Sequence, residues 1–204
     1  MNRLEIINKA FLKLGQSPVP SLEDTDDRTQ CALAIYESVR NTEQTSYRWS
    51  FCTKRFTLNA MTVTDNDNNQ VIVKPAFGYD YQYLLPKGFL RLIEIYGHRQ
   101  MGYAIEGNRL LTNLEGPLNI IALCLEENEY KFPPAFVEAF ATRLAIELCT
   151  RIKQDNTSKA QLQQEYLYNL SMAKKTDAIQ RATMSTPDGS WIDIRMSEIG
   201  STGF

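Results

Sequence analysis

The sequence predicts an α+β fold, a helical bundle of about four helices with an inserted antiparallel β-rich block and an extended C-terminal tail. Three observations carry this. Apolar residues recur at helical spacing near both ends, as in Leu4, Ile7, Phe11 and Leu14, and again in Val137, Ala141, Leu144, Ala145, Leu148 and Ile152. Between residues 52 and 125 that spacing gives way to short β-prone runs separated by Asn-, Gly- and Pro-containing turns. From Thr186 onward there is no helical repeat, yet Trp191, Ile192, Ile194, Met196, Ile199 and Phe204 make the stretch too apolar for an inert tail.

The elements follow in order. Helix 3–14 carries the first stripe, and Gly15 supplies its stop. Pro18 and Pro20 keep the next residues extended. Ser21 and Asp24 are the candidate caps of a second helix, 24–46, and Glu23, Asp24, Asp26 and Asp27 place negative charge at its start, where the helix dipole favours it. Cys31, Ile35 and Val39 mark its apolar stripe, and Trp49 and Phe51 anchor its end. The chain then turns into the strand-like Cys52–Leu58.

The remaining β-prone runs are Val71–Val73, Tyr79–Tyr83, Leu90–Tyr96, Tyr103–Ile105, Arg109–Leu111 and Leu118–Leu125, with Glu106-Gly107-Asn108 as a tight hairpin connection. Helix resumes at Pro133-Pro134, since proline is tolerated in a first turn, and runs to 152. Helix 157–183 carries Leu162, Tyr166, Leu170 and Ala173. The division is therefore 1–51 with 131–185 as the bundle, 52–130 as the β-rich insertion and 186–204 as the tail.

Composition narrows the function classes. At 204 residues and 43% hydrophobic, with ten Tyr and nine Phe, the chain can fill a core as one domain or a core with one insertion. A net charge of −2 lacks the basic excess of a free-standing nucleic-acid binder. No apolar run reaches the roughly 18 residues that suggest a bilayer span, and Met1–Ile6 reads as an amphipathic helix start rather than a signal peptide. Cys31, Cys52, Cys124 and Cys149 are widely spaced without a CxxC pair, the pattern of buried free thiols in a reducing compartment.

Candidate chemistry is sparse. Asp65–Asn69 starts like a calcium-binding EF-hand loop, but Gln70 stands where the loop needs glycine and Ala76 where it needs glutamate. His98 is the only histidine, which excludes a multi-histidine metal site within one chain, and it reads as a turn residue. Glu126, Glu127 and Glu129 read as a solvated connection, although neighbouring carboxylates can also serve acid–base or metal chemistry. Tyr79, Tyr81 and Tyr83 would share one strand face; without interleaved Lys or Arg, that face reads as packed rather than as a base-stacking row. The sequence therefore offers no catalytic residues, no metal ligands and no cofactor site.

Taken together, Leu14-Gly15, Pro18, Ser21-Leu22-x-Asp24, Cys31…Tyr36…Arg40 and Trp49-x-Phe51 are followed by Tyr83-x-Leu85-Pro86, Leu90-Arg91-Leu92 and Tyr103-x-Ile105-x-Gly107-x-x-Leu110. Pro133-x-x-Phe136 and Leu144-Ala145 complete the series. This order resembles the head-to-tail adaptor proteins of tailed bacteriophages, of the tail tubular protein A type found in short-tailed phages, over about residues 3–155.

The resemblance implies a non-enzymatic virion protein with no cofactor. It implies a twelve-membered ring beneath the portal protein, formed by the bundle, that presents a platform for the tail nozzle (a tail tubular protein B-like partner) or tail fibres. Genomic DNA would slide through the channel without sequence-specific binding, and assembly would take place in the host cytoplasm. On this reading Trp49 and Phe51 join the bundle to the tail-facing β block. Trp191, Ile192, Ile194, Met196, Ile199 and Phe204 would dock on the portal or on the adjacent subunit. The rival readings are a head-completion or connector protein of a long-tailed phage, a small metal-dependent enzyme built on Glu126–Glu129, and a DNA-binding module.

Overall fold

The computed structural model describes residues 1–23, 26–64, 69–98, 101–153 and 155–181. The tail residues Trp191, Ile192, Ile194, Met196, Ile199 and Phe204, the Asp65–Asn68 part of the EF-like loop, Asp24 and Thr183 lie outside the described residues.

The fold is α+β, with four helices and antiparallel sheets. Helix α1 (Arg3–Lys13) opens on a capping box: the Asn2 side chain accepts from the Glu5 amide, and the Glu5 carboxylate accepts from the Asn2 amide. It stops at Gly15, whose φ of 72° is open to glycine at no steric cost. Helix α2 (Asp27–Ser46) is capped by Asp26, not by Ser21 or Asp24. The Asp26 carboxylate accepts from the Arg28 amide and pairs with its guanidinium, which a cap further upstream could not do. The buried stripe of α2 is Ala32, Tyr36, Val39 and Glu43, rotated from the expected one, and Cys31 and Ile35 are only half-buried.

Helix α3 (Pro134–Ile152) is the most buried helix, with Phe136, Val137, Phe140, Ala141, Leu144, Ala145 and Leu148 inside. Helix α1 lays Ile6, Ile7, Ala10 and Phe11 in the same core, and Lys9–Glu138 and Lys13–Glu165 ion pairs tie it to α3 and α4 at the surface. Helix α4 (Asn156–Ile179), capped by Asp155, buries only Leu162, Ala173 and Asp177. Its partly buried Tyr166 and Leu170 pack on the same core. No helix among the described residues is long and apolar enough to cross a membrane.

The strands are β1 (Thr53–Leu58), β2 (Thr62–Thr64), β3 (Gln70–Ile72), β4 (Tyr81–Leu84), β5 (Phe89–Ile95), β6 (Tyr103–Glu106), β7 (Arg109–Thr112) and β8 (Leu118–Cys124). They form one sheet in the order β1-β8-β5, a second in the order β4-β7-β6, and a β2–β3 hairpin, with every pairing antiparallel. Strand β2 had no counterpart among the predicted runs, since Thr62-Val63-Thr64 is too short and too exposed to show a period.

Strand β8 divides two cores. Because side chains alternate along a strand, Leu123 joins the helical core while Leu118, Ile120, Ala122 and Cys124 face a second core with Tyr83, Leu92, Ile95 and Leu110. In β5 the residues facing the helices, Leu90 and Ile93, and those facing the second core, Leu92 and Ile95, do not follow strict alternation. Register shifts at Phe89/Arg91 and Leu92/Glu94 account for this, as β-bulges do.

Candidate functional site

Among the described residues the densest constellation of aromatic and polar contacts is the joint where helices hand the chain to strands. It begins at the end of α2. Tyr47 leaves the helix in extended conformation, which swings Trp49 into the helical core at 1% exposure. The Trp49 indole N–H donates to the Glu43 carbonyl at 2.9 Å, so its polar edge is satisfied where it is buried. Its ring meets Tyr47 at 4.9 Å and Phe136 at 5.0 Å, both edge-on. Phe51 lies 4.8 Å from Phe136 and 5.6 Å from Phe132, and the aromatic chain continues through Phe140 to Tyr36. The two predicted anchors therefore share one aromatic row with the start of α3.

The C-terminal end of α4 closes on the same place. Asp177, buried, accepts the Ser50 amide at 2.8 Å and pairs with Arg181. Arg181 also donates to the Arg48 carbonyl, and its guanidinium lies 5.0 Å from the Tyr47 ring centroid. Three helices and the connecting turn are thus fixed to one another around Trp49.

On the strand side the contact is made by backbone mimicry. The Gln44 amide donates to the Glu126 carbonyl at 2.8 Å and accepts from the Glu126 N–H at 2.9 Å, as an adjoining strand would. The Cys52 thiol also reaches Gln44, at 3.4 Å, and the Cys124 N–H donates to the Cys52 carbonyl at 2.8 Å. Burial, with the Glu126 charge adding to it, pushes the Cys52 thiol up to about 12, so it stays protonated and is a poor nucleophile at neutral pH. All four cysteines are free; Cys52, Cys124 and Cys149 are buried, and Cys31, expected to be, is only half so.

The three glutamates part company. Glu126, expected on a solvated connection, is 6% exposed. Burial alone would raise its carboxyl, but the Lys131 ammonium at 3.0 Å, the Asn128 amide and Lys54 at 3.5 Å outweigh it and hold the group below its ordinary range. The backbone pairing with Gln44 is what draws residue 126 inward. Glu127 is exposed, and Glu129 accepts from Arg3 at 3.3 Å and from the Tyr36 hydroxyl at 3.5 Å. Among the described residues no group of three or more His, Cys, Asp or Glu is placed to hold a metal ion.

His98 is exposed beyond β5, its amide donating to the Ile95 carbonyl. Tyr83 is fully buried with its hydroxyl donating to the Leu114 carbonyl at 2.6 Å, Tyr81 is half-buried in the same strand, and Tyr79 precedes the strand.

Sequence reasoning passed over Glu43. It is 2% exposed, with the Tyr166 hydroxyl at 2.9 and 3.0 Å from its two oxygens and Arg143 at 3.9 Å. Burial raises its carboxyl above the ordinary range, against the pull of Tyr166, Arg143 and Lys174. The spacing Ala32, Tyr36, Val39, Glu43 was the available signal, because it carries a helical stripe straight onto an acid.

A scan against protein-family models finds no match for this chain, and a search of curated proteins finds none either.

Proposed function

We propose that the chain is a structural adaptor of a tailed-phage virion, of the tail tubular protein A type, forming a ring that joins the portal to the tail nozzle or fibres around the DNA channel. The observation that carries the proposal is the joint. Trp49 and Phe51 of one motif of the resemblance and Phe136 of another stand in one aromatic row that fixes the strand-bearing part to the helices. An adaptor needs such a connection, because ring packing by the bundle and contact with the tail machinery fall to different parts of one chain.

The outer face of α4 supports the same reading. Tyr168, Met172 and Ile179 are exposed there at helical spacing, with Leu167 exposed beside them, and such apolar side chains suit side-by-side packing of copies. The predicted twelve subunits, the docking of the 186–204 tail and the virion location belong to this proposal.

Electron microscopy of the purified protein mixed with portal rings tests it. The expected result is an added ring on one face of the portal; portals that gain no density at saturating protein would overturn the reading. Deletion of residues 186–204 should lower incorporation if the tail docks on the portal or a neighbour, and unchanged incorporation would remove that role.

A further inference from the structure

The sheet edges of this molecule are not treated alike. Unpaired strand edges invite another chain, and folds blunt them with charge, bulges, short strands or a covering segment. Strand β1 carries Lys54 and Arg55. Strand β5 is bulged twice. Strands β2 and β3 are three residues each. Strand β4 is met by the Ala60 bridge to Tyr83 and by the Met61 amide donating to the Gln82 carbonyl at 2.9 Å. Strand β6, Tyr-Ala-Ile-Glu, ends its sheet with no basic residue, no proline and no register shift against β7.

Its apolar face is also open. Tyr103 and Ile105 pair with Thr112 and Leu110, which are fully buried, so they lie on the face of the sheet that covers the second core. Yet they remain 47% and 41% exposed. In the two-residue hairpin joining Glu106 to Arg109, the flanking pair is the hydrogen-bonded one. The alternation then turns the N–H and C=O groups of Tyr103 and Ile105 outward, away from β7. Among the described residues the sheet thus stops one strand short of covering its own core.

The chain contains a segment of matching chemistry. In Ile192-Asp193-Ile194-Arg195-Met196-Ser197 apolar and polar residues alternate strictly, the pattern of a half-buried strand. Arg195 is the only basic residue after Arg181, and Glu106 is the only charged residue of β6. We propose that residues 191–197 of one copy add as a fourth strand to the β6 edge of a neighbouring copy. Main-chain hydrogen bonds would supply the attachment, with Ile192, Ile194 and Met196 closing the face left open at Tyr103 and Ile105.

Arg181, from which the segment departs, is tied to Asp177 and Arg48 on the helical side, whereas the sheet holding β6 contributes no residue to the helical core. Such a head-to-tail contact is heterologous, and repeated it makes rings or filaments rather than a closed pair. The inference takes from the adaptor reading only that copies meet, and it needs no portal.

Two full-length variants test it. Ile105→Pro removes an outward N–H and leaves the β7 ladder intact, disabling the acceptor. Ile192→Asp with Ile194→Asp disables the donor. The wild-type chain should associate with rising concentration in sedimentation velocity, each variant alone should stay monomeric, and an equimolar mixture should form a 1:1 pair, because each lacks what the other retains. Tyr103→Lys, which charges the edge without altering the backbone, should weaken association at least tenfold and serves if Ile105→Pro misfolds. Wild-type association by either variant alone, or a mixture that does not pair, would overturn the proposal. If portals gain a ring while these variants associate normally, only the strand pairing falls; if the variants behave as expected and portals gain nothing, only the adaptor reading falls.

Discussion

The two sides of the joint are held by different chemistry. On the helical side Trp49 is locked by aromatic rings and one indole hydrogen bond, and a buried acid, Glu43, faces a tyrosine hydroxyl in a place where burial favours its neutral form. On the strand side Gln44 and Glu126 pair as backbone partners, and the Glu126 carboxylate is kept charged by two lysines that reach in from solvent. Adjacent residues of α2, Glu43 and Gln44, thus lead into two environments. The first is aromatic packing beside an acid whose neutral form burial favours; the second depends on hydrogen-bond geometry and on a carboxylate kept charged.

The largest effect should come from the helical side. Trp49→Ala removes the ring that Tyr47, Phe51 and Phe136 pack against, and a buried tryptophan truncated to alanine costs about 3–5 kcal/mol. Urea unfolding followed by helical circular dichroism measures it. A loss under about 0.5 kcal/mol, the range of ordinary surface changes, would mean that the row is not what fixes the joint, and the comparison would break.

Gln44→Ala comes next. It leaves the Glu126 N–H and C=O without their partner, and each buried group left unsatisfied costs about 1–3 kcal/mol. Its signature should be local: amide exchange should accelerate at Cys124, whose N–H bonds to Cys52 beside Gln44, before it does in α3. Uniform acceleration across the chain would show that the joint does not open separately.

How much of this was legible follows from what periodicity can carry. Helices α1 and α3 and strands β1, β5 and β8 announce themselves because one face or both are buried, and that burial is written as spacing. Trp49 and Phe51 stand out in the sequence as large aromatics at the end of a polar helix, not through spacing. Gln44 was not legible, because its partner is the backbone of a residue 82 positions away and backbone has no sequence signal. Glu126 was misread because local polarity in Glu126-Glu127-Asn128-Glu129 says solvent, while the pairing that buries it is long-range. The stripe of α2 was set one residue off because Cys31 and Ile35 are more apolar than Thr29 and Glu43, yet it is the latter that tertiary packing encloses.

Glu126→Gln should cost about 1–2 kcal/mol at neutral pH, less than a sealed ion pair, because the ends of Lys54 and Lys131 are largely exposed and screened. The sign with pH is fixed. A carboxyl held below its ordinary value of 4.5 stabilises the fold above that pH, and the contribution is lost as pH falls through the lowered folded value. Thermal melts of the two proteins should therefore differ at pH 7 and converge in acid. A difference that persists in acid would assign the effect to packing instead.

Glu43→Gln should give the smallest effect, with the opposite sign. A carboxyl whose folded pKa is raised contributes stability that is fully present below the ordinary 4.5 and lost as pH rises through the raised folded value. The groups facing it are the Tyr166 hydroxyl, Arg143 and Lys174, none of them a close, fully buried cation. An amide keeps an acceptor for Tyr166 and carries no charge to desolvate, so Glu43→Gln should be neutral near pH 4 and stabilising by up to about 1 kcal/mol at pH 7. Paired melts across that range check it. If Glu43→Gln instead destabilises at pH 7 and converges with wild type in acid, as Glu126→Gln should, then Arg143 holds a charged Glu43, and the two sides of the joint obey one rule rather than two.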